Sequence, residues 1–425
     1  MTHFGILCPA STGHLNTMIP LGCELLRRGH QVTVFNFLDA EAKTLASGLE
    51  FYPLDQGNST TRVITETLTQ LGKLNGLAAF QYTIKLLAES ADTVLKEAPT
   101  AIKNAGVEAL LVDQVSPEGG TVAEFLNIPF ITICSALVLN RNINIPPVIT
   151  TWQYNPTWKG RLRNQLGYQL ITQATKPIRQ VIAEYRQKWN LPLHSHPNDA
   201  YSKLAQISQQ PAEFEFPRTN LPSYFHFTGP YHNSASRQPV PFPFEQLNGK
   251  PLIYASMGTI QNRLLDIFQQ IASACEGLEA QLVISLGGST TPESLPKLPG
   301  NPIIVGYAPQ LELLQKATLT ITHAGMNTTL ESLSNGVPMV AIPIANDQPG
   351  VAVRIAYTGV GEMVPLKKLS VPKLRTAIIK VLTEDSYKKR AIALQEAIAR
   401  SGGVKKAADI IEQVVLTGKP VLATK

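Results

Sequence analysis

The sequence predicts an α/β protein of two domains, each a parallel sheet with helices on both faces. Three observations carry this. Short apolar runs alternate with amphipathic helical stretches through the first half, the pattern of a doubly wound parallel sheet. The alternation restarts after GPYHNSASRQPVPFPFEQLNGK at 229–250, a stretch with Pro239, Pro241 and Pro243 and little helical period. A chain of 425 residues also exceeds what one compact core usually holds.

In the first half the expected elements are a strand at 3–9 (HFGILCP), a helix from His14 to Arg28 and a strand at Val32–Phe37. A short helix at 39–47 and a strand at Phe51–Leu54 follow. A long helical region at 61–103, broken near Gly72–Gly76, leads to a strand at Ala109–Asp113, a helix at 118–126 and a strand at Phe130–Ser135. Residues 136–200 read as mostly helical with Pro-rich turns, an insertion where a substrate pocket could be built. In the second half, strands are expected at 251–257, 281–286, 302–305, 319–322 and 339–344, and tail helices at 371–383, 386–400 and 404–416. The domain expectation is 1–235, a linker at 236–250, 251–402, and a final segment 403–425.

Composition excludes several classes. Hydrophobic content of 44% and charged content of 16% suit a globular chain. Cys8, Cys23, Cys134 and Cys275 are far apart with no CxxC pair, which reads as reduced thiols of a cytoplasmic protein without structural zinc. Residues 3–9 are too short for a signal-peptide core and lack a basic leader, so a first buried strand is expected there. No run reaches the ~18 apolar residues of a membrane span. The net charge is +6, and 151–192 carries all of that excess, with seven cations against Glu184. The same segment holds Trp152, Trp158 and Trp189. It reads as a solvated basic surface with its aromatics in the core; the alternative is peripheral contact with an anionic membrane. No nucleic-acid motif accompanies the charge.

The most informative stretch is 306–348, GYAPQLELLQKATLTITHAGMNTTLESLSNGVPMVAIPIANDQ. A strand at Leu319–Thr322 ends in His323-Ala-Gly325-Met-Asn327-Thr328, and a helix carrying Glu331 starts at once. A second strand, Met339–Ile344, ends in Asn346-Asp347-Gln348. Ligands of open α/β sheets bind outside strand C-termini. Gly325 lets backbone approach a ligand closely, and a helix N-terminus suits a diphosphate. His323 and Thr328 add donors, and Glu331 can accept from ribose hydroxyls. Asp347 and Gln348 can hold a sugar's hydroxyls, and Tyr307 offers a flat face for a base with Gln310 beside it.

These residues resemble the donor-binding signature of the family-one UDP-sugar glycosyltransferases: aromatic-Ala-Pro-Gln, here Tyr307-Ala308-Pro-Gln310, then His-x-Gly-x-Asn-Ser/Thr-x-x-Glu, then Asp-Gln. Tyr307 and Met326 stand where plant members carry Trp, as in bacterial members. The resemblance implies the GT-B fold, two facing Rossmann-like domains with a cleft between them, and a last helix that crosses back to the first domain. It implies a UDP-sugar as co-substrate, with Gln348 pointing to glucose. Ser256-Met-Gly258-Thr259 matches the family's pattern for a loop at the donor phosphates. No Asp-x-Asp pair occurs in the chain, so a metal-bridged diphosphate is not expected.

A second constellation lies in the first half. His14 follows the first strand, and its near-neutral pKa suits a base that takes a hydroxyl proton. Asp113 ends a strand on the same side and would orient the ring. Family members place a catalytic histidine and an orienting aspartate at corresponding points, and their reaction inverts an α-linked donor to a β-glycoside. Ser135-Ala-Leu-Val-Leu-Asn140-Arg141, followed by Pro146-Pro147 and Trp152, further resembles zeaxanthin-type glucosyltransferases. This implies a lipophilic acceptor, a carotenoid, other terpenoid or polyphenol. The alternatives are a UDP-sugar epimerase, which would lack the histidine, and a non-catalytic sugar-nucleotide-binding relative. A Rossmann dehydrogenase is excluded by the missing GxGxxG after the first strand.

Overall fold

The structure, a computed structural model, describes residues 1–55, 76–231, 240–258, 265–288 and 291–423. Its first lobe runs β1 (His3–Leu7), α1 (Thr12–Arg27), β2 (Gln31–Asn36), α2 (Glu41–Ala46), β3 (Glu50–Pro53), α3 (Gly76–Asn104), β4 (Ala109–Asp113), α4 (Glu118–Leu126) and β5 (Phe130–Cys134). It continues with α5 (Trp158–Ala174), α6 (Lys176–Lys188), β6 (Gln206–Ser208) and β7 (Phe225–Phe227). The seven strands are parallel in the order β3-β2-β1-β4-β5-β6-β7. Strands β4 and β5 are buried at every residue, as expected of a sheet covered on both faces. The expected helix break near Gly72–Gly76 lies, up to residue 75, outside the described residues, as do residues 232–239 of the proline-rich stretch.

The second lobe runs β8 (Leu252–Ser256), α7 (Leu265–Cys275), β9 (Gln281–Ser285), β10 (Ile303–Val305), α8 (Gln310–Leu314), β11 (Ala317–Thr322), α9 (Met326–Ser334) and β12 (Met339–Ala341). Then come α10 (Gln348–Thr358), β13 (Gly361–Met363), α11 (Val371–Thr383), α12 (Asp385–Ser401) and α13 (Gly403–Thr417). Its six strands, again parallel, are ordered β10-β9-β8-β11-β12-β13. In both sheets the strand order reverses beside the lobe's first strand, between β1 and β4 and between β8 and β11. Connecting helices leave the two strands in opposite directions there, opening a crevice at the strand ends.

Helix α13 belongs to the first lobe's core. Ala407, Ile410, Ile411 and Val414 pack in one cluster with Leu15, Met18, Leu21 and Leu25 of α1. Burying each of the larger aliphatic side chains contributes about 1.5–3 kcal/mol. Arg28 Nη1 donates to Asp409 Oδ1 and Glu412 Oε2, both at 2.6 Å. Where the chain leaves the second lobe it meets the end of β7: Gly403 N–H donates to Thr228 O at 2.6 Å, and a Cβ on Gly229 would fall 2.8 Å from that of Ser401. Gly402 and Gly403 have φ of +92° and +60°, which suits glycine.

The lobes also pack directly. Leu137 and Phe214 of the first lobe join a core cluster with α9, α10 and α12. Arg354 of α10 donates to Glu215 Oε1 through Nε at 2.8 Å and Nη2 at 2.5 Å, and its guanidinium lies 4.3 Å from the Phe216 ring centroid. Both charges are buried. Glu215 has a second cation in Arg218, at 3.4 Å, so the greater exposure is the other way: removing Glu215 would strand Arg354 in low dielectric, typically at a cost of about 3–5 kcal/mol.

Candidate active site

His14 lies in the first turn of α1, just past the C-terminal end of β1. Its Nδ1 donates to Asp113 Oδ2 at 2.8 Å, and Ser135 Oγ is also 2.8 Å from that nitrogen. Ser135 donates to the same carboxylate oxygen, while Oδ1 accepts from Val115 N–H at 3.0 Å. Asp113 is fully buried, at the end of β4. An ionised carboxylate is acceptor-only, so this contact puts a proton on Nδ1 and leaves Nε2 as the basic nitrogen. Nε2 makes no hydrogen bond among the described residues, and the ring is 21% exposed. Burial alone would lower the His14 pKa; the charge and hydrogen bond of Asp113, with the charge of Asp347, outweigh it and raise it.

The second half of the site lies at the β8/β11 crevice. His323 follows β11, and Ala324 beside it holds a left-handed φ of +65°, strained for a residue with a Cβ. Glycines on two sides make room for the imidazole. A Cβ on Gly258 would fall 2.6 Å from His323 Nε2, and one on Gly325 closer still. Burial depresses the His323 pKa to about 4, with the Ser256 backbone opposing weakly, so the ring is neutral at physiological pH. Its Nδ1 is buried without a hydrogen bond. Gly325 is the N-cap of α9, and no side chain caps the helix. The first N–H groups, at Met326, Asn327 and Thr328, are therefore open to an anion.

The other expected donor residues divide by surroundings. Tyr307 is 48% exposed after β10, with its ring against Gly288; Ala308 beside it is buried. Gln310 Nε2 donates to Glu331 Oε2 at 2.6 Å and lies 3.3 Å from Thr328 Oγ1, while Tyr254 OH donates to Gln310 Oε1 at 3.1 Å. Glu331 is only 1% exposed. Of the pair, the partly buried Gln310 is the more accessible and the Glu331 carboxylate the less. Met326 packs in the core cluster with Leu137 and Leu330, so only its backbone faces a ligand. Ser256 is buried at the end of β8. Gln348 Oε1 accepts from Ile344 and Ala345 N–H at 2.9 and 3.0 Å, which fixes the turn before α10. Thr259 lies outside the described residues. Among the described residues, no group of three or more His, Cys, Asp and Glu could hold a metal ion.

The two halves meet across the cleft. Asn327 Nδ2 donates to Gly13 O at 2.8 Å, next to His14, and Asn327 Oδ1 accepts from Gln209 Nε2 at 3.1 Å. Asp347 Oδ2 accepts from Leu137 N–H at 3.2 Å. Burial raises the Asp347 pKa, opposed by that N–H and by His14. Sequence reasoning missed Ser135, Gln209 and Leu137 as site residues. Ser135 had a signal: it follows the strand next to Asp113 and ends on the same side of the sheet.

The comparisons with known proteins agree with this architecture. The family described as UDP-glucoronosyl and UDP-glucosyl transferase matches residues 6–401. Zeaxanthin glucosyltransferase of Pantoea ananas is 32% identical over 425 residues, covering 100% of this chain and 98% of that one. The enzyme of the same name from Pseudescherichia vulneris is 30% identical, covering 99% and 100%. Among solved structures, the glycotransferase of kitacinnamycin superposes with a TM-score of 0.77 at 21% identity, covering 97% of this chain and 98% of that one. CalG4, the calicheamicin glycosyltransferase, gives 0.76 at 20% identity, covering 99% and 100%. At these identities the structures speak to the fold, the two-lobed GT-B arrangement. With a family match over nearly its whole length and relatives alike from end to end, the chain belongs to the UDP-glucoronosyl and UDP-glucosyl transferase family and is a glycosyltransferase.

Proposed function

We propose that this enzyme transfers glucose from UDP-glucose, with inversion, to a hydroxyl of a lipophilic acceptor of the carotenoid class. The observation that carries the mechanism is the His14–Asp113 contact, with Nε2 unengaged and Asp347 of the donor signature close enough to act on the ring's charge. In this reading Nε2 takes the acceptor's hydroxyl proton, and the oxygen attacks the anomeric carbon from the face opposite UDP. The bond from that carbon to the β-phosphate oxygen breaks, UDP leaves with the electron pair, and an α-linked donor becomes a β-glycoside. Asp113 stabilises the imidazolium that forms.

The leaving diphosphate sits at the α9 N-terminus, with neutral His323 and Thr328 beside it, where preorganised donors meet developing charge. Tyr307 stacks on the base, and Asp347 with Gln348 holds the sugar's hydroxyls. Ser256 and Gly258 are assigned to the phosphates. Support for the acceptor class comes from the relatives named zeaxanthin glucosyltransferase. A lipophilic acceptor is met at a membrane surface, and the basic segment 151–192 is the proposed place of contact.

The test is UDP release from UDP-glucose with detergent-dispersed zeaxanthin and, separately, a flavonol. Acceptor-dependent release should fall about 10²–10⁴-fold in His14→Ala, the usual contribution of a general base, while UDP binding persists. Unchanged release would remove His14 from the mechanism. Turnover of the flavonol alone would remove the carotenoid.

A further inference from the structure

We propose that the outer face of α5 is a docking surface for an anionic lipid bilayer. The side chains are Trp158, Leu162, Leu166 and Leu170, 69%, 50%, 53% and 72% exposed. They recur every four residues, which places them in one stripe along the helix. Single exposed leucines are ordinary on a protein surface; an unbroken row of four large apolar side chains is not.

The helix cannot turn this row inward. Gly160, Asn164 and Gly167 occupy the buried face. A Cβ on Gly160 would strike Asn155 O, and one on Gly167 would lie 2.9 Å from the Trp152 ring and 3.1 Å from Pro147. Asn164 Nδ2 donates to Ile143 O at 2.9 Å and fixes the rotation. Small and polar residues therefore seat α5 on the lobe, and its large apolar residues face out. The other two tryptophans of this segment are engaged: Trp152 lies under the Arg163 guanidinium, and Trp189 stacks on Phe125.

Charge selects the partner. The exposed ionisable side chains of α5 and α6 are Lys159, Arg161, Lys176, Arg179 and Lys188 against Glu184 alone. Lys159 Nζ lies 5.7 Å from the Trp158 ring centroid. An interfacial indole and a lysine able to snorkel thus share one end of the stripe. A second copy of the chain would bring like charges together, whereas an anionic headgroup layer neutralises them. The Leu170 end borders a groove carrying Glu89 and Asp92 of α3, so the Trp158 end leads the approach. No helix among the described residues is long and apolar enough to cross a membrane, so the contact is with the surface layer. The inference rests on the lipophilic-acceptor reading for its purpose but not for its geometry.

The experiment is co-sedimentation of the native protein with vesicles of phosphatidylcholine, with and without phosphatidylglycerol. Binding should require phosphatidylglycerol and weaken with salt. Leu162→Gln with Leu166→Gln, and separately Lys159→Glu with Arg161→Glu, should each lower it at least about fivefold. Both variants should release UDP with detergent-dispersed zeaxanthin at the native rate, which separates this inference from the catalytic reading. Equal binding to neutral vesicles, or native binding by the leucine variant, would overturn the proposal. So would a light-scattering dimer that Leu162→Gln with Leu166→Gln dissolves.

Discussion

His14 and His323 each sit just past a strand that borders the point where its lobe's sheet order reverses, β1 in the first lobe and β11 in the second, and their surroundings are opposite. His14 has a buried carboxylate on Nδ1 and a second carboxylate nearby, and its proton affinity is raised. His323 has two glycines and no carboxylate, and its pKa is depressed to about 4. One crevice thus makes a group that gains a proton, the other a group that stays neutral and keeps a fixed dipole. The lobe architecture supplies the position, and the neighbours supply the chemistry.

The largest break in this contrast is Asp113→Asn. Without the carboxylate, the ring loses its tautomer preference and the stabilisation of its charged form, and turnover should fall about 10²–10⁴-fold. The acid limb of kcat/KM, set by protonation of His14, should also move to lower pH, because the main group raising its pKa is gone. A pH–rate profile with the limb unmoved would contradict the assignment.

A smaller effect is expected from filling the space around His323. Gly325→Ala pushes a methyl group into the ring, and KM for UDP-glucose should rise by about ten- to a hundredfold, as for other misplacements near an ångström. Gly13, beside the other histidine, has nothing within 4 Å of a built Cβ. Gly13→Ala should therefore perturb donor KM much less; equal effects would erase the steric difference between the crevices.

The smallest effect is on stability. A histidine held near 4 when folded and near 6.5 when unfolded binds fewer protons in the native state between those values. Its contribution is present above about 6.5 and is lost as pH falls towards 4. His14, with a raised value, contributes below 6.5 and loses that contribution as pH rises through its folded pKa. Urea melts should show His323→Gln flattening the acid side of the profile and leaving the alkaline side as it was.

The alternation of elements and the 306–348 motif made the architecture legible, because long buried strands such as β4 and β5 need continuous apolar runs. Strands β6 (QIS), β7 (FHF) and β13 (GEM) lack the continuous apolar run that marks the equally short β10 and β12, so they do not stand out from loops, and they were missed. Within the site, residue types at strand ends were readable, but pairings were not. That Asn327 spends its amide on Gly13 and Gln209 depends on how two lobes meet. No local pattern encodes that. Met326 shows the opposite limit: its place in the motif suggested a ligand contact, and its apolar side chain went to the core.

The seam at Thr228–Gly229 and Ser401–Gly403 gives the second lobe the mechanics of a door. The chain leaves the second lobe there, right beside the end of β7, so a swing of the lobes about that line disturbs this crossing less than a slide would. A small change of angle there is multiplied by the distance to the cleft, where Asn327 and Asp347 serve as the latch in front of the Leu137 and Phe214 packing and the Arg354–Glu215 pair. A sugar nucleotide that takes over those two side chains would release the latch from within, and bring its own bonds to hold the door shut.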